Sequence, residues 1–525
     1  MNKQVHFNVD HAIRQGNLVF GHGWLFHETS ETRQLQFKHG SFSIALDFGN
    51  PRTDVGKAFR QLERAEQSGF LFYVKLPSFR NTTPSYLEAE FANGERLQIP
   101  LTFPDVASKK GALIMTVLRR LWGLIKQRDF VAIREKANRY LKSWAFVSVD
   151  SKQLLNSVND KPCVLFVDHS LGGGTNHYRE RRIGDYNNDN KEVLVVTFHP
   201  ALLGYRIEHH APQGAVQHYQ IDGMESLLAL AAEIHIVEIF YNNAVSFPHA
   251  ESVPSILVAL AKSSSARLAL ALHDYFPFCP SPHLIDSQGH YCGLPEDLAI
   301  CQTCLKANTQ SFVPIYGIKQ IDAWREQWRE LLAAAQSIQV FSQGMATLLV
   351  QTYPDLDPEH IVYSPHSMAY FDRVEPLTPP AAPIRVGVVG NITPIKGSEV
   401  VVNFAQSIQQ SGRNDIDLIV VGTLQAPSTI PIRQTGSYQH QDLPQILSDE
   451  QVNVILFPSI APETFSYVVQ EMKLLDLPIV AFDLGAQAEY LRGYPKGLIV
   501  PLATGSNELL AHIIDFHHQI YSNRA

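Results

Sequence analysis

Glu463 and Glu471 stand eight positions apart in the segment ETFSYVVQE, which follows the apolar run VNVILF and the turn Pro458-Ser459. If that segment is helical, a rise of about 1.5 Å per residue separates the two carboxylates by about 12 Å. This is too far for a hydrolytic pair flanking one glycosidic bond, but it suits the two ends of one long ligand. The helix start between them offers unpaired backbone N–H groups and a positive dipole end, both suited to a diphosphate. A sugar joined through a diphosphate to a ribose has that length and charge.

Two further segments fit the same ligand. The strand ending at Val389 runs into Gly390-Asn391-Ile-Thr-Pro-Ile-Lys396-Gly397, which places a lysine between a strand and a helix. Its compact ammonium suits phosphate oxygens. Near residue 168 another apolar strand ends in His169-Ser-Leu-Gly172-Gly173-Gly174, where glycine allows the backbone to approach a ligand closely. Taken singly, a glycine triplet is also a plain tight turn, and a lysine there is also a plain surface residue. The run LALALH ends in His273, followed by Asp274. A histidine at a strand end is structural in most proteins.

Four of the five cysteines, Cys279, Cys292, Cys301 and Cys304, fall in one stretch that closes with C-x2-C. In a reducing compartment this reads as a structural zinc site with four thiolates holding a long irregular insertion. Buried free thiols or a disulfide are the other readings, and His283 or His290 could replace one ligand. Cys163, inside an apolar strand, reads as core.

In this order, the segments resemble the retaining GT-B glycosyltransferases of family 4 (glycosyl transferases group 1), of the bacterial surface-polysaccharide type. The resemblance covers about residues 161–525. Members of that family show a glycine-rich loop after the first strand, a strand-end histidine, a G-R-x-x-x-x-K-G segment and a glutamate-x7-glutamate element. Gly172 to Gly174, His273, Gly390 to Gly397, and Glu463 with Glu471 match them in sequence order. The resemblance implies a donor site in which Glu463 contacts sugar hydroxyls and Glu471 the ribose. Lys396 and the N–H groups at Thr464, Phe465 and Ser466 would bind the diphosphate, and His273 and Asp274 would lie at the reacting carbon. It implies no catalytic metal. One departure is that Asn391 stands where the family carries an arginine. That leaves a second phosphate cation to be found, with Arg433, Arg179 and Arg182 as candidates.

The elements that must position these residues follow from hydrophobic periodicity. From residue 161 onward, apolar strands (CVLFVDH, VLVVTF, IHIVEIF, LALALHD, SIQVFS, RVGVVG, DLIVV, VNVILF, PIVAFD, GLIVPL) alternate with helical stretches. This is the rhythm of parallel α/β sheets. The proline-rich stretch 368–383 reads as a connector between two halves. The expected fold is therefore α/β, with two doubly wound, Rossmann-like domains facing a cleft, at 161–375 (holding the cysteine insertion 279–304) and 376–525, and the resemblance implies that they form a GT-B pair. Residues 1–104 alternate as short strands with turns at His39-Gly40 and Asn93-Gly94, a β-sandwich that serves either as a carbohydrate-binding or docking module or as a scaffold. Residues 105–160 form a helical linker in which ten lysines and arginines between 106 and 144 face only Asp129 and Glu135. That helix either lies on anionic lipid or packs between domains.

Composition bounds the rest. The 525 residues are enough for about three domains, and 45% hydrophobic with 18% charged is ordinary for a globular chain. A net charge of −8 argues against a dedicated nucleic-acid binder. With no signal-like start and no long apolar run, the expected location is cytoplasmic, with a peripheral contact on the inner membrane. By the resemblance, the expected activity is transfer of a hexose or deoxyhexose from a nucleotide-sugar to a polyprenyl-linked glycan acceptor, as in surface-polysaccharide or O-antigen biosynthesis. The alternatives are a non-catalytic GT-B binder of nucleotide-sugar or glycan, and a GT-B-like epimerase.

Overall fold

The computed structural model of the protein describes residues 4–50, 52–105, 151–158, 160–199, 204–221, 223–310, 313, 316–371, 373–426, 428 and 430–522. The expected basic helix at 106–144 lies outside the described residues. The chain divides into two compact units. One contains the N-terminal sheets, the first α/β lobe up to residue 271, and residues 276–337. The other contains residues 272–275 and everything from 338 onward.

The N-terminal region has eight strands: β1 (Val5–Gln15), β2 (Leu18–His27), β3 (Thr32–His39), β4 (Phe42–Leu46), β5 (Phe48–Asn50), β6 (Gly69–Lys75), β7 (Ser85–Phe91) and β8 (Arg96–Leu101). They form two four-stranded antiparallel sheets, β1-β2-β6-β5 and β4-β3-β7-β8. Alternation along β7 turns Leu87, Ala89 and Phe91 into the core. There Phe37 of one sheet stacks on Phe72 of the other at 5.1 Å, as face-to-face packing of two sheets requires. The short helix Thr53–Ala58 between β5 and β6 escaped the periodicity reading because it is only six residues long.

The first α/β lobe has β9 (Cys163–Val167), β10 (Glu192–His199), β11 (Gly204–His210), β12 (Gln217–Ile221), β13 (Ile236–Tyr241) and β14 (Arg267–Ala271), in the order β12-β11-β10-β9-β13-β14. β10, β9, β13 and β14 are parallel. β11 and β12 add on as antiparallel edge strands, a departure from the uniformly parallel rhythm expected. Their sequences alternate polar and apolar residues (Arg206, Glu208, His210), so they carry no apolar-run signal.

The second unit begins with the short parallel pair β15 (Ser337–Val340) and β16 (Ile361–Tyr363). Its main sheet contains β17 (Ile384–Ile392), β18 (Ile416–Leu424), β19 (Arg433–Gln434), β20 (Val454–Phe457), β21 (Ile479–Phe482) and β22 (Gly497–Val500). Their order is β19-β18-β17-β20-β21-β22, all parallel. Numbered from its first strand this is 3-2-1-4-5-6, the Rossmann order, and it reverses between β17 and β20. The strands are buried on both faces because helices cover both. On one face Val469, Met472 and Leu475 share a core with Val421, Ile455 and Ile479. Each such side chain contributes about 1.5–3 kcal/mol. The architecture is thus two Rossmann-like α/β lobes preceded by a β-sandwich, the GT-B domain content expected. Among the described residues, no helix is long and apolar enough to cross a membrane.

The C-terminal helix Ser506–Ser522 holds a group that makes stability depend on pH. His517 is buried and stacks on Tyr521 at 4.5 Å, and neither ring nitrogen has a hydrogen-bond partner among the described residues. Burial, with a smaller push from His518, brings its pKa down to about 4. The unfolded chain therefore binds this proton more readily. The contribution is complete above the ordinary histidine pKa of about 6.5 and is lost as pH falls toward 4. His517→Phe should therefore lose less melting temperature than the parent between pH 7.5 and 4.5. Parallel melting curves for the two proteins would show that His517 carries no such linkage.

Candidate functional site

In the second unit the expected donor residues gather at the strand-order reversal. The loop after β17 (393–397) and the loop after β20 (458–466) leave adjacent parallel strands at their carboxyl ends, where open α/β sheets bind ligands. Gly397 joins the two loops. Its φ is +81°, and a Cβ there would lie 1.9 Å from the carbonyl oxygen of Pro458, so only glycine allows this contact. A hydrogen bond from Ile460 N–H to Ile395 O, 3.2 Å, continues it.

The loop carrying Glu463 is fixed from a third direction. Gln487 is buried; its Oε1 accepts from Glu463 N–H at 2.9 Å and its Nε2 donates to Ala461 O at 2.9 Å. Ala486 N–H donates to Glu463 O at 2.8 Å, and Gly485, at φ +45°, leaves room for that backbone. Thr464 Oγ1 donates to the carbonyl of His273 at 2.8 Å, which ties the short stretch 272–275 to this loop. The rings of His273, Phe341, His366 and Tyr467 stack in series, with centroids 4.7, 3.9 and 5.2 Å apart, and Phe465 meets His366 edge-on at 4.8 Å. Glu463 and Asp274 are partly exposed.

Only Tyr467–Leu474 of the glutamate segment is helical, so the all-helical separation does not apply to the pair. Ser466 is the N-cap residue and makes no side-chain cap. The first-turn N–H groups therefore lack partners within the helix. Val469, Met472 and Leu475 anchor the helix in the core, and Glu471 falls on the same inward face. Its carboxylate is fully buried. Two partners share one oxygen: Tyr370 Oη donates to Oε1 at 2.6 Å, and His440 Nδ1 lies 2.9 Å from it. Burial, and then the negative charge of Glu471, push the Tyr370 phenol well above its ordinary range, so it stays a donor. Glu471 Oε2 and Ser466 Oγ are buried with no hydrogen-bond partner among the described residues. A buried orphan oxygen costs about 1–3 kcal/mol, and two on one short helix, at its N-cap and in its second turn, call for an explanation.

Lys396 is exposed on the 393–397 loop. Asn391, in the arginine's place, points its Oδ1 at Thr423 Oγ1 (2.8 Å) and Gln425 Nε2 (2.9 Å). Arg433 pairs with Glu450 at 2.6 Å. In the other unit, Arg179 is held by Asp168 at 3.1 Å and Arg182 by Tyr186 at 2.8 Å.

Gly172, Gly173 and Gly174 belong to that first unit, at the reversal between β9 and β13. Gly172 and Gly173 have φ of +89° and +91°, and helix Gly174–Asn188 starts directly after them. Asp168, at the end of β9, accepts from Arg179 and Asn176 of that helix. Burial raises the Asp168 pKa to about 7 against the pull of Arg179.

Cys279, Cys292, Cys301 and Cys304 line one pocket of the first unit, with all thiols free. Cys301 and Cys304 are one turn apart on helix Leu298–Ala307. Burial lifts Cys279 to about 12 and raises Cys292 and Cys301 as well. Among the described residues, no group of three or more His, Cys, Asp or Glu stands in a metal-holding arrangement.

Sequence reasoning missed Tyr370, His440, His366, Phe341 and Gln487. Tyr370 lies in the stretch read as a connector, and His440 lies in a single 3-10 turn. Neither carries a local pattern that marks it.

Residues 383–519, the lobe that holds this constellation, match the family model for glycosyl transferases group 1. No curated protein matches the chain. Among solved structures it is similar to HepE of Anabaena in complex with UDP-glucose, at 16% identity over 68% of this chain and 90% of that one, TM-score 0.41. It is similar to sucrose-phosphate synthase of Thermosynechococcus elongatus, at 17% identity over 68% and 89%, TM-score 0.43. It is also similar to a glycosyltransferase of Rickettsia africae, at 14% identity over 69% and 89%, TM-score 0.44. The family match thus falls on the second lobe.

The Gly397 contact predicts a graded outcome. Gly397→Ala combines a left-handed backbone with a clash against backbone and should cost more than about 3 kcal/mol. Gly412→Ala, at φ +67° with nothing within 4 Å of its Cβ, should cost only about 1–2 kcal/mol. Equal melting temperatures for the two variants would show that the two loops are not held together through Gly397.

Proposed function

We propose that this protein is a retaining glycosyltransferase that moves a hexose or deoxyhexose from a nucleotide-sugar to a hydroxyl of a lipid-linked glycan. The observation that carries the reading is the convergence of Lys396, the Glu463 loop and the buried Glu471 on the strand-order reversal of a group 1 glycosyltransferase domain. In this reading the ribose hydroxyls donate to Glu471 Oε2, the oxygen that Tyr370 and His440 leave unused. The diphosphate lies against the first-turn N–H groups of helix Tyr467–Leu474 and near Lys396. The Glu463 carboxylate accepts from hydroxyls of the sugar, and His273 and Asp274 stand beside its anomeric carbon.

Chemistry then requires that negative charge developing on the leaving phosphate be met by groups already in place. Fixed N–H donors and one ammonium do this at little reorganisation cost. The acceptor oxygen attacks from the face the phosphate leaves, and its proton passes to the departing phosphate oxygen. The sugar–phosphate bond breaks, a glycosidic bond forms on the same face, and nucleoside diphosphate is released. Retention and the lipid-linked acceptor rest on the sequence resemblance and on the basic stretch 106–144. Asp274 is the one candidate for a covalent alternative, and near-normal turnover by Asp274→Asn would dismiss that role.

The test is a screen of nucleotide-sugars by thermal shift, followed by release of nucleoside diphosphate on adding acceptor. A true donor raises the melting temperature because it binds only the folded chain. Lys396→Ala should lower kcat by roughly 10²–10³ with little change in melting temperature. Glu471→Gln should raise the donor KM by roughly tenfold or more. If no nucleotide-sugar stabilises the protein and none is consumed, the proposal fails. The Asn391 replacement favours one second reading, a protein that holds the nucleotide-sugar without transferring it. Binding without nucleotide release in the presence of acceptor would establish that one.

A further inference from the structure

The segment from Phe276 to Leu298 is long and almost without secondary structure. Its one ladder contact is the isolated bridge Ile285↔Tyr291. Yet it is largely buried in its first half, and it ends on the helix that carries Cys301 and Cys304. Something other than a strand ladder must hold it.

The four thiols that line its pocket sit in two kinds of setting. Cys279 and Cys292 each accept a backbone N–H from the residue two positions on: Ser281 N–H at 3.4 Å in one case, Leu294 N–H in the other. The second turn is built on left-handed backbone at Gly293 and Leu294. Cys301 and Cys304 lie on a helix face three residues apart, and Asn308 Nδ2 reaches Cys304 Sγ at 3.5 Å. N–H groups aimed at sulfur stabilise a thiolate far more than a thiol. Arg325, which donates to Phe278 O at 3.0 Å, lines the same pocket and supplies positive charge beside Cys301.

We propose that Cys279, Cys292, Cys301 and Cys304 bind one zinc ion as a tetrahedral four-thiolate structural site that staples the 276–308 segment onto the first lobe. Two turns with N–H···S bonds and one helical C-x2-C supply two ligand pairs, and Zn–S bonds of about 2.3 Å require their rotamers to draw inward. Binding displaces four thiol protons and leaves a site of charge −2, which the Arg325 guanidinium and the N–H groups offset. Structural zinc of this kind contributes to folding because the unfolded chain holds no formed site.

The test uses the full chain, purified with a phosphine reductant and no chelator. We expect about one zinc per chain by elemental analysis, released in step with mercurial titration of the thiols. Exchange with cobalt should give the intense sulfur-to-metal absorption of a tetrahedral thiolate site. Cys292→Ser and Cys304→Ser should each lower zinc content and open the 279–308 segment to protease, whereas Cys163→Ala should keep its zinc. If the serine variants do not fold, mercurial release from the parent still decides the matter. Folded parent protein with less than about a tenth of an equivalent of metal, and no cobalt uptake, would overturn the proposal. So would an intact mass short by two or four hydrogens, which reports disulfides in place of metal.

Discussion

The second lobe depends on one close approach, the backbone of Gly397 against the carbonyl of Pro458. Parallel strand order reverses between β17 and β20, so the loops that leave these two strands have no intervening strand to separate them. At such a reversal the carboxyl ends open into a crevice, and whatever the two loops carry is presented there together. A side chain at 397 would force them apart. With glycine, the lysine of one loop and the acidic segment of the other become parts of a single surface.

From that contact outward, the candidate site is held by a series of backbone and side-chain anchors. Gln487 and Gly485 hold the backbone of Glu463, and Thr464 reaches across to the His273 carbonyl. The ring series from His273 to Tyr467 places flat, rigid surfaces beside it. Such fixing matters because a site that stabilises developing charge is effective only if its dipoles need not reorient during reaction. Under the proposed function, loops with this many backbone anchors meet that condition.

Glu471 shows the same economy in a buried setting. A carboxylate out of water is strongly disfavoured unless it is hydrogen bonded. Tyr370 and His440 both approach one of its oxygens, and the phenol stays protonated because burial and the carboxylate's charge oppose its ionisation. The stretch read as a connector therefore contributes to this candidate site, since Tyr370 belongs to it.

Much of this was legible in the residues. The apolar runs from β9 to β22 announced a parallel α/β fold, because strands covered on both faces must be apolar throughout. The glycine, lysine and glutamate segments announced their own loops, because strand ends and helix starts leave local signatures. The polar edge strands β11 and β12 and the helix Thr53–Ala58 were not legible, one for want of an apolar run and the other for shortness. Nor were Tyr370, His440, Gln487 and the ring series around His366. These are brought to Glu471, Glu463 and His273 across separations of 24 to 101 residues, and only packing decides such contacts. Sequence by itself determined which groups could do chemistry and on which kinds of element they would sit. The tertiary structure decided which of them meet, because strand order and close backbone approach are set by the whole core and by no single segment.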